Sequence, residues 1–179
     1  VSEVLFTVLV AAVVLERLAE LVVSKRNAAW SFERGGVETG QRHYLVMVVL
    51  HTGLLVGALL EVWLRRPDFQ PALGYPMLAL VLASQGLRWW CISTLGRRWN
   101  TRVIVVPGLP LVSGGPYRLT SHPNYVAVVL EGLALPLVHS AWITAAVFTV
   151  CNAVLLSVRV RVENEALTAA APRTMGVTS

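Results

Sequence analysis

Gly114-Gly115-Pro116-Tyr117-Arg118-Leu119-Thr120-Ser121-His122-Pro123-Asn124-Tyr125 is a polar, turn-rich string set between long apolar runs. Pro116 and Pro123 stop any helix that would propagate into them. Pro123 can also open a new helix, because its fixed φ suits the first turn and its missing N–H is not needed there. His122, directly before a proline, is steered out of helical geometry and towards a capping position. One histidine and two tyrosines, Tyr117 and Tyr125, are thereby placed at the mouth of an apolar helix. The free N–H groups of such a helix start favour a carboxylate or a phosphate. Gly114 and Gly115 let the backbone approach a ligand closely. They belong to no G-x-G-x-x-G, so a dinucleotide fingerprint is absent.

The runs around this string fix the class. The 179 residues are 55% hydrophobic and 14% charged. A soluble domain of that length cannot bury so much apolar surface, which makes an integral membrane protein the expectation. A spanning helix takes about 20 mostly apolar residues. Residues 4–23, 44–64 and 73–92 qualify, and 125–138 and 141–158 follow with only His139 and Ser140 between them. The last pair is short for two crossings. It reads as a tight hairpin whose polar feet lengthen the helices on one side; a re-entrant hairpin is the alternative. The expected architecture is therefore all-α, with five transmembrane helices and one domain over residues 1–167. The small, polar, proline-interrupted tail over 168–179 is expected to be disordered. The first run holds Glu16, Arg17 and Glu20 and lacks a basic start and a small-residue cleavage site, so it reads as a mature helix.

Charge sets the orientation. Lys25, Arg26, Arg34 and Arg42 lie between the first two runs; Arg97, Arg98, Arg102 and Arg118 lie between the third and fourth; Arg159 and Arg161 end the fifth. With five spans these regions share one side, the cytoplasm, with the N-terminus outside. Arg65 and Arg66 on the far side run against that pattern. The net charge of +5 does not point to nucleic acid, since no basic patch alternates with exposed aromatics. Cys91 and Cys151 lie in apolar runs without metal-ligand spacing and read as small buried hydrophobes.

Polar groups inside apolar helices are costly unless paired or facing a cavity. Asn152, Arg159 and Glu163 fall within about 20° of one another at helical periodicity, forming one stripe towards the cytoplasmic end. Arg159 and Glu163 could simply bridge each other at i,i+4, but Asn152 continues the same face into the apolar region. Glu165 points elsewhere. Glu16 and Glu20 share a face and need a cation. Arg17 lies on another face, which leaves Arg88 or a loop arginine. Glu131 and His51 read as isolated polar groups serving helix packing. The long loop over 93–121 is more than a linker: 103–106 suits a short extended piece, and Pro107-Gly108-Leu109-Pro110 a turn.

The segments Leu111-Val112-Ser113-Gly114-Gly115-Pro116-Tyr117, Ser121-His122-Pro123-Asn124-Tyr125 and Arg159-Val160-Arg161-Val162-Glu163-Asn164-Glu165-Ala166-Leu167 resemble the isoprenylcysteine carboxyl methyltransferase family in order and spacing. The resemblance covers residues 95–167. Glu16-Arg17-Leu18-Ala19-Glu20-Leu21, Ser24-Lys25-Arg26-Asn27 and His43-Tyr44 are similar to a bacterial branch that methylates alkylpyrones or alkylresorcinols. The resemblance implies a membrane enzyme that uses S-adenosylmethionine. It puts His122, Pro123 and Tyr125 beside the cofactor, Glu163 on the cofactor or its pocket, and Arg159 at the reaction centre. Gly115 and Tyr117 join the cofactor-binding set, and Arg159 and Glu163 form the catalytic pair, with no metal. The chain departs from the family in three places: Ser121 replaces the arginine before His-Pro, Asn164 the second glutamate, and Leu109 an upstream histidine.

The expected reaction is methyl transfer to the hydroxyl of a lipophilic alkylpyrone or alkylresorcinol that enters from the bilayer, at the cytoplasmic face of a bacterial cell membrane. Membrane lipids are the expected partners, and nucleic acid is not. Carboxyl methylation of a prenylated cysteine is the first alternative. A nicotinamide-dependent membrane reductase with a similar His-Pro-Asn-Tyr region, or a non-enzymatic scaffold, is the second.

Overall fold

The computed structural model describes residues 2–170. Its α-helices are α1 (Ser2–Phe32), α2 (Gln41–Arg65), α3 (Pro71–Leu95), α4 (Pro123–Leu137) and α5 (Trp142–Ala170), and two short strands, β1 (Val37–Thr39) and β2 (Val103–Val105), lie among them. Prolines open α3 and α4, as the fixed φ of a first-turn proline allows. His122 is the N-cap of α4, outside helical geometry at φ −131° and ψ 58°.

Each apolar run lies in its own helix. Of these, α2 and α5 are long and apolar enough to cross a membrane, with mean hydropathies of 2.2 and 1.9. The 31-residue α1 and 25-residue α3 have the length but carry Glu16, Arg17, Glu20 and Arg88 within their apolar stretches. The hairpin of α4 and α5 is unequal. The 15 residues of α4 rise only about 22 Å, less than the roughly 30 Å hydrocarbon core of a bilayer. Pro123 fixes where α4 starts, so only α5 grows a polar foot. It does so past the expected end of order, through Thr168 to Ala170; residues 171–179 lie outside the described residues. The turn between the two helices buries His139 and holds Ser140 in left-handed geometry at φ 57°.

The main apolar core sits at the hairpin's turn end, where Phe6 and Val10 of α1 meet Ala58 and Val62 of α2, Val81 of α3 and Leu135 of α4. Glu61 of α2 accepts the backbone N–H groups of Ile143 at 3.0 Å and Thr144 at 2.8 Å. It thereby satisfies donors that the first turn of α5 leaves free, with its charge at the favourable end of the helix dipole. Gly132 lets α4 rest on α5, since a Cβ there would overlap the Phe148 ring. Gly132→Ala is therefore expected to cost about 1–3 kcal/mol through overpacking. The check is the unfolding temperature in detergent, and an unchanged value would show that this contact yields freely.

At the opposite end, β1 and β2 pair antiparallel, with Val37 opposite Val105 and Thr39 opposite Val103. The extended piece expected at 103–106 is β2. Its partner, of three residues, is too short to show alternation. This pairing ties the long loop to the α1–α2 connection. Asn27 of α1 strengthens the tie by donating to the backbone oxygens of Trp99 at 2.7 Å and Gly96 at 3.1 Å. Ser24 holds Thr101 through both its backbone N–H, at 3.0 Å, and its side chain, at 2.9 Å. The loop is thus an ordered roof over the helix ends.

Candidate active site

Beneath that roof lies a chamber of about 840 Å³, lined by α1, α2, α3, α4, α5 and the loop. Its walls are largely apolar, with Met47 and Leu55 from α2, Val128 from α4, Leu155 and Leu156 from α5, and Ile104 from β2. Polar side chains gather at two places, the roof and the inner end.

The roof cluster joins α4 to the polar foot of α5. The Tyr125 hydroxyl donates to Glu163 Oε2. His122 stacks on the Tyr125 ring, with centroids 5.4 Å apart and planes at 19°. Its Nε2 lies 3.0 Å from Asn164 Oδ1 and its Nδ1 3.8 Å from Glu163 Oε2. Arg159, one turn before Glu163, donates to the Thr101 carbonyl at 3.0 Å and reaches over the Tyr125 ring, 5.9 Å from its centroid. Tyr117 lines the chamber and pairs with the Cys91 thiol. Burial, with Cys91 beside it, pushes the Tyr117 phenol well above its ordinary value. That hydroxyl therefore stays neutral and does not serve as a base.

The inner cluster lies about 12 Å deeper, as the eight-residue advance from Pro123 to Glu131 along α4 measures it. Arg88 of α3 hydrogen-bonds Glu131 of α4 and forms a 3.5 Å ion pair from Nε to Glu20 Oε1. Arg17 binds Glu20 Oε2 at 2.6 Å and Gln85 Oε1 at 2.9 Å, and lies 3.3 Å from Glu131. Glu16 accepts the Trp89 indole N–H at 2.6 Å. Two expectations are corrected here. Arg17 does reach Glu20, because i,i+3 neighbours meet on a helix surface and a long guanidinium stem bridges the offset. Glu131 is not isolated, for it anchors Arg88.

The structure brings most of the expected site residues together. Tyr117, His122, Tyr125, Arg159 and Glu163 all line the chamber, and so does Asn152 deeper on the same stripe. Gly115 and Pro123 do not. Gly115 has a left-handed φ of 54° and presses its backbone against α3, where a Cβ would collide with Thr94; its freedom from a side chain serves packing there. Pro123 is fully buried and serves as the first residue of α4. His51 behaves as a packing residue, with Nδ1 2.8 Å from the Met47 oxygen and its ring edge-on to Phe148. Cys91 is buried as expected, whereas Cys151 is exposed on α5. Asn100 and Asn124 also line the chamber. Sequence reasoning missed them because a lone amide, in a loop as Asn100 is or in a first helical turn as Asn124 is, carries no periodic signal. Leu109 lines it too.

Fold and site together define a helical protein whose apolar chamber is capped by a carboxylate, an imidazole and a phenol. Residues 77–169 match the isoprenylcysteine carboxyl methyltransferase (ICMT) family, and the chain belongs to that family. It is 38% identical over 164 residues to the uncharacterized protein YpbQ of Bacillus subtilis (strain 168), covering 91% of this chain and 96% of that one. It is 21% identical over 164 residues to an uncharacterized protein of Haemophilus influenzae (strain ATCC 51907 / DSM 11121 / KW20 / Rd), covering 91% and 95%. Membership implies a membrane methyltransferase with S-adenosylmethionine as the donor.

The chamber's own chemistry fits that donor. Both ends of the Asn100 amide are buried without a hydrogen bond, as are Asn124 Oδ1, Asn152 Oδ1 and Arg159 Nε. An unsatisfied buried polar atom costs about 1–3 kcal/mol. A ligand rich in donors and acceptors removes that cost. Glu163 and the faces of Tyr125 and His122 suit a positively charged sulfur.

Proposed function

We propose that this protein transfers a methyl group from S-adenosylmethionine to the hydroxyl oxygen of a long-chain alkylpyrone or alkylresorcinol. The reading places the reaction at the cytoplasmic face of a bacterial cell membrane. The observation that carries it is the junction of Tyr125, His122 and Glu163 at one end of a largely apolar chamber. Five crossings are part of the proposal. The charges of α1 and α3 pair with one another inside the helix bundle rather than facing lipid, which lowers the cost of inserting those helices.

When bound, S-adenosylmethionine supplies a methyl group carried on a positively charged sulfur. Glu163 and the Tyr125 ring hold that charge, and Asn100, Asn124 and Asn152 bind the donor's polar groups. His122, gripped by Asn164, positions Glu163. Arg159 orients the acceptor's head, the paired Glu163 and His122 stand ready to take the proton that the hydroxyl gives up as the methyl group passes from sulfur to oxygen, and the apolar wall keeps water from competing with the acceptor. Leu21 of α1 and Val48 and Thr52 of α2 line the chamber and are also exposed. A lipid tail can enter between these two helices and leave its head near the polar groups.

The family name favours a second reading, carboxyl methylation of a prenylated cysteine, for which no base is needed because a carboxylate is already ionised at neutral pH. The two separate in one experiment. Purified protein is incubated with labelled donor and, in parallel, an alkylresorcinol, an alkylpyrone and a prenylated cysteine, and the products are identified by mass spectrometry. Methyl ethers of the hydroxylated lipids are expected. A methyl ester alone would establish the second reading. No labelled product, together with oxidation of NADPH, would replace methyl transfer by reduction.

A further inference from the structure

We infer that Asn100 reads the adenine of S-adenosylmethionine, pairing its side-chain amide with the exocyclic amino group and the ring nitrogen N7, and so makes the cofactor site specific for an adenine nucleoside. The inference deepens the methyltransferase reading and rests on it. Its ground is a contrast between the backbone and the side chain of one residue. The peptide units on both sides of Asn100 are fastened by two helices. Asn27 of α1 donates to the Trp99 carbonyl at 2.7 Å. The Thr101 N–H donates to Ser24 of α1 at 3.0 Å, and Arg159 of α5 donates to the Thr101 carbonyl at 3.0 Å. Asn100 lines the chamber, yet its Oδ1 and Nδ2 are both buried and, among the described residues, neither has a hydrogen-bond partner. A buried amide left unpaired at both ends is costly, and the clamped backbone fixes where it meets the chamber.

The chemistry of the amide selects its partner. It sets an N–H and an acceptor oxygen side by side in one plane. For Asn124 and Asn152 the buried unpartnered atom is Oδ1 alone, which suits a single hydroxyl or ammonium group. The ribose of the cofactor offers separate hydroxyls, and its amino-acid end offers full charges. Its adenine alone sets an N–H beside a lone pair in one plane. Against the edge that holds N1, a flipped amide would match a 6-oxo purine equally well. Against the edge that holds N7 it cannot, and that is the edge with which asparagine forms two hydrogen bonds. Place agrees with chemistry. Arg159, which grips the Thr101 carbonyl beside Asn100, also reaches over the Tyr125 ring, 5.9 Å from its centroid. Asn100 thus adjoins the residue that Arg159 ties to the roof cluster, and the nucleoside is the part of the cofactor bonded directly to the sulfur held there. Leu95, Trp99 and Val103 also line the chamber and offer a flat base the apolar surface its faces need.

The test is calorimetric binding without a methyl acceptor. S-adenosylhomocysteine is titrated into detergent-purified protein beside two analogues. S-inosylhomocysteine has a carbonyl in place of the amino group, and S-tubercidinylhomocysteine has a C–H in place of N7. The native protein is expected to bind S-adenosylhomocysteine about fivefold or more tightly than either analogue, as one bidentate pair provides. Asn100→Leu should bring all three within about twofold, since the paired edge is what separates them. Asn152→Leu should weaken all three alike and keep the ratios. Asn100→Asp, close in size to the native residue, serves if the leucine variant fails to fold. It keeps the acceptor for the amino group but sets a second acceptor against N7, so S-tubercidinylhomocysteine should then bind at least as tightly as S-adenosylhomocysteine. A native protein that binds the three alike, or ratios that persist in Asn100→Leu or collapse in Asn152→Leu, would overturn the inference and leave the methyltransferase reading intact. Failure of the native protein to bind S-adenosylhomocysteine at all would sink that reading and this inference with it.

Discussion

Exchanging Glu163 for glutamine lowers the rate of methyl transfer by about 10²- to 10³-fold, the range found when one preorganised electrostatic group is removed from an active site. Glutamine keeps the shape and can still accept from Tyr125, so the fold and the stacking of His122 persist. What disappears is the carboxylate that Tyr125 and His122 share. The donor carries a positive sulfur and its product does not. Affinity for S-adenosylmethionine should therefore fall more than affinity for S-adenosylhomocysteine. The Glu163 side chain is 30% exposed, so solvent screening limits the ground-state part of the loss to about tenfold or less. Initial rates with labelled donor at saturating acceptor, alongside calorimetric affinities for both ligands, separate the two effects. Turnover within twofold of the native rate would remove Glu163 from the reaction.

The roof was legible because local chemistry dictated it. A histidine before a proline has few backbone choices, and His122 caps α4 for that reason. Asn152, Arg159 and Glu163 share a face by helical periodicity alone, and all three line one chamber. The inner cluster was only half legible. Like charges on α1 demanded a cation, and Arg88 answers, but Glu131 and Gln85 join from other helices, and no spacing within one segment reports a contact between segments. Gly115 misled for a related reason. A turn glycine permits close approach without saying to what, and here it approaches Thr94 and Trp90 of α3. The strand pairing of 37–39 with 103–105 was hidden for want of length. The number of crossings is obscured by the same buried charges, which lower the apolarity of α1 and α3 while facing one another.

Those charges make Arg88 the most sensitive structural position. Arg88→Met is expected to destabilise the protein by about 3–5 kcal/mol, the cost of leaving one side of a buried ion pair without its partner. The guanidinium is 5% exposed and serves two carboxylates, Glu131 by hydrogen bond and Glu20 by ion pair. Its removal leaves Glu16, Glu20 and Glu131 around Arg17 alone. The sign of the second change then follows from counting charges. In the native protein Glu131→Gln brings the cluster to balance and should cost little. In the Arg88→Met background it removes a carboxylate that has lost its partner and should recover roughly half of the loss. A second neutralising change that offsets part of the loss caused by the first is the signature of direct coupling between contacting residues. Chemical unfolding in detergent of the native protein, both single variants and the double variant supplies the four values needed. Additive effects would mean that Arg88 supports the bundle through packing of its stem, and the charge pairing seen between α3 and α4 would carry little of the stability.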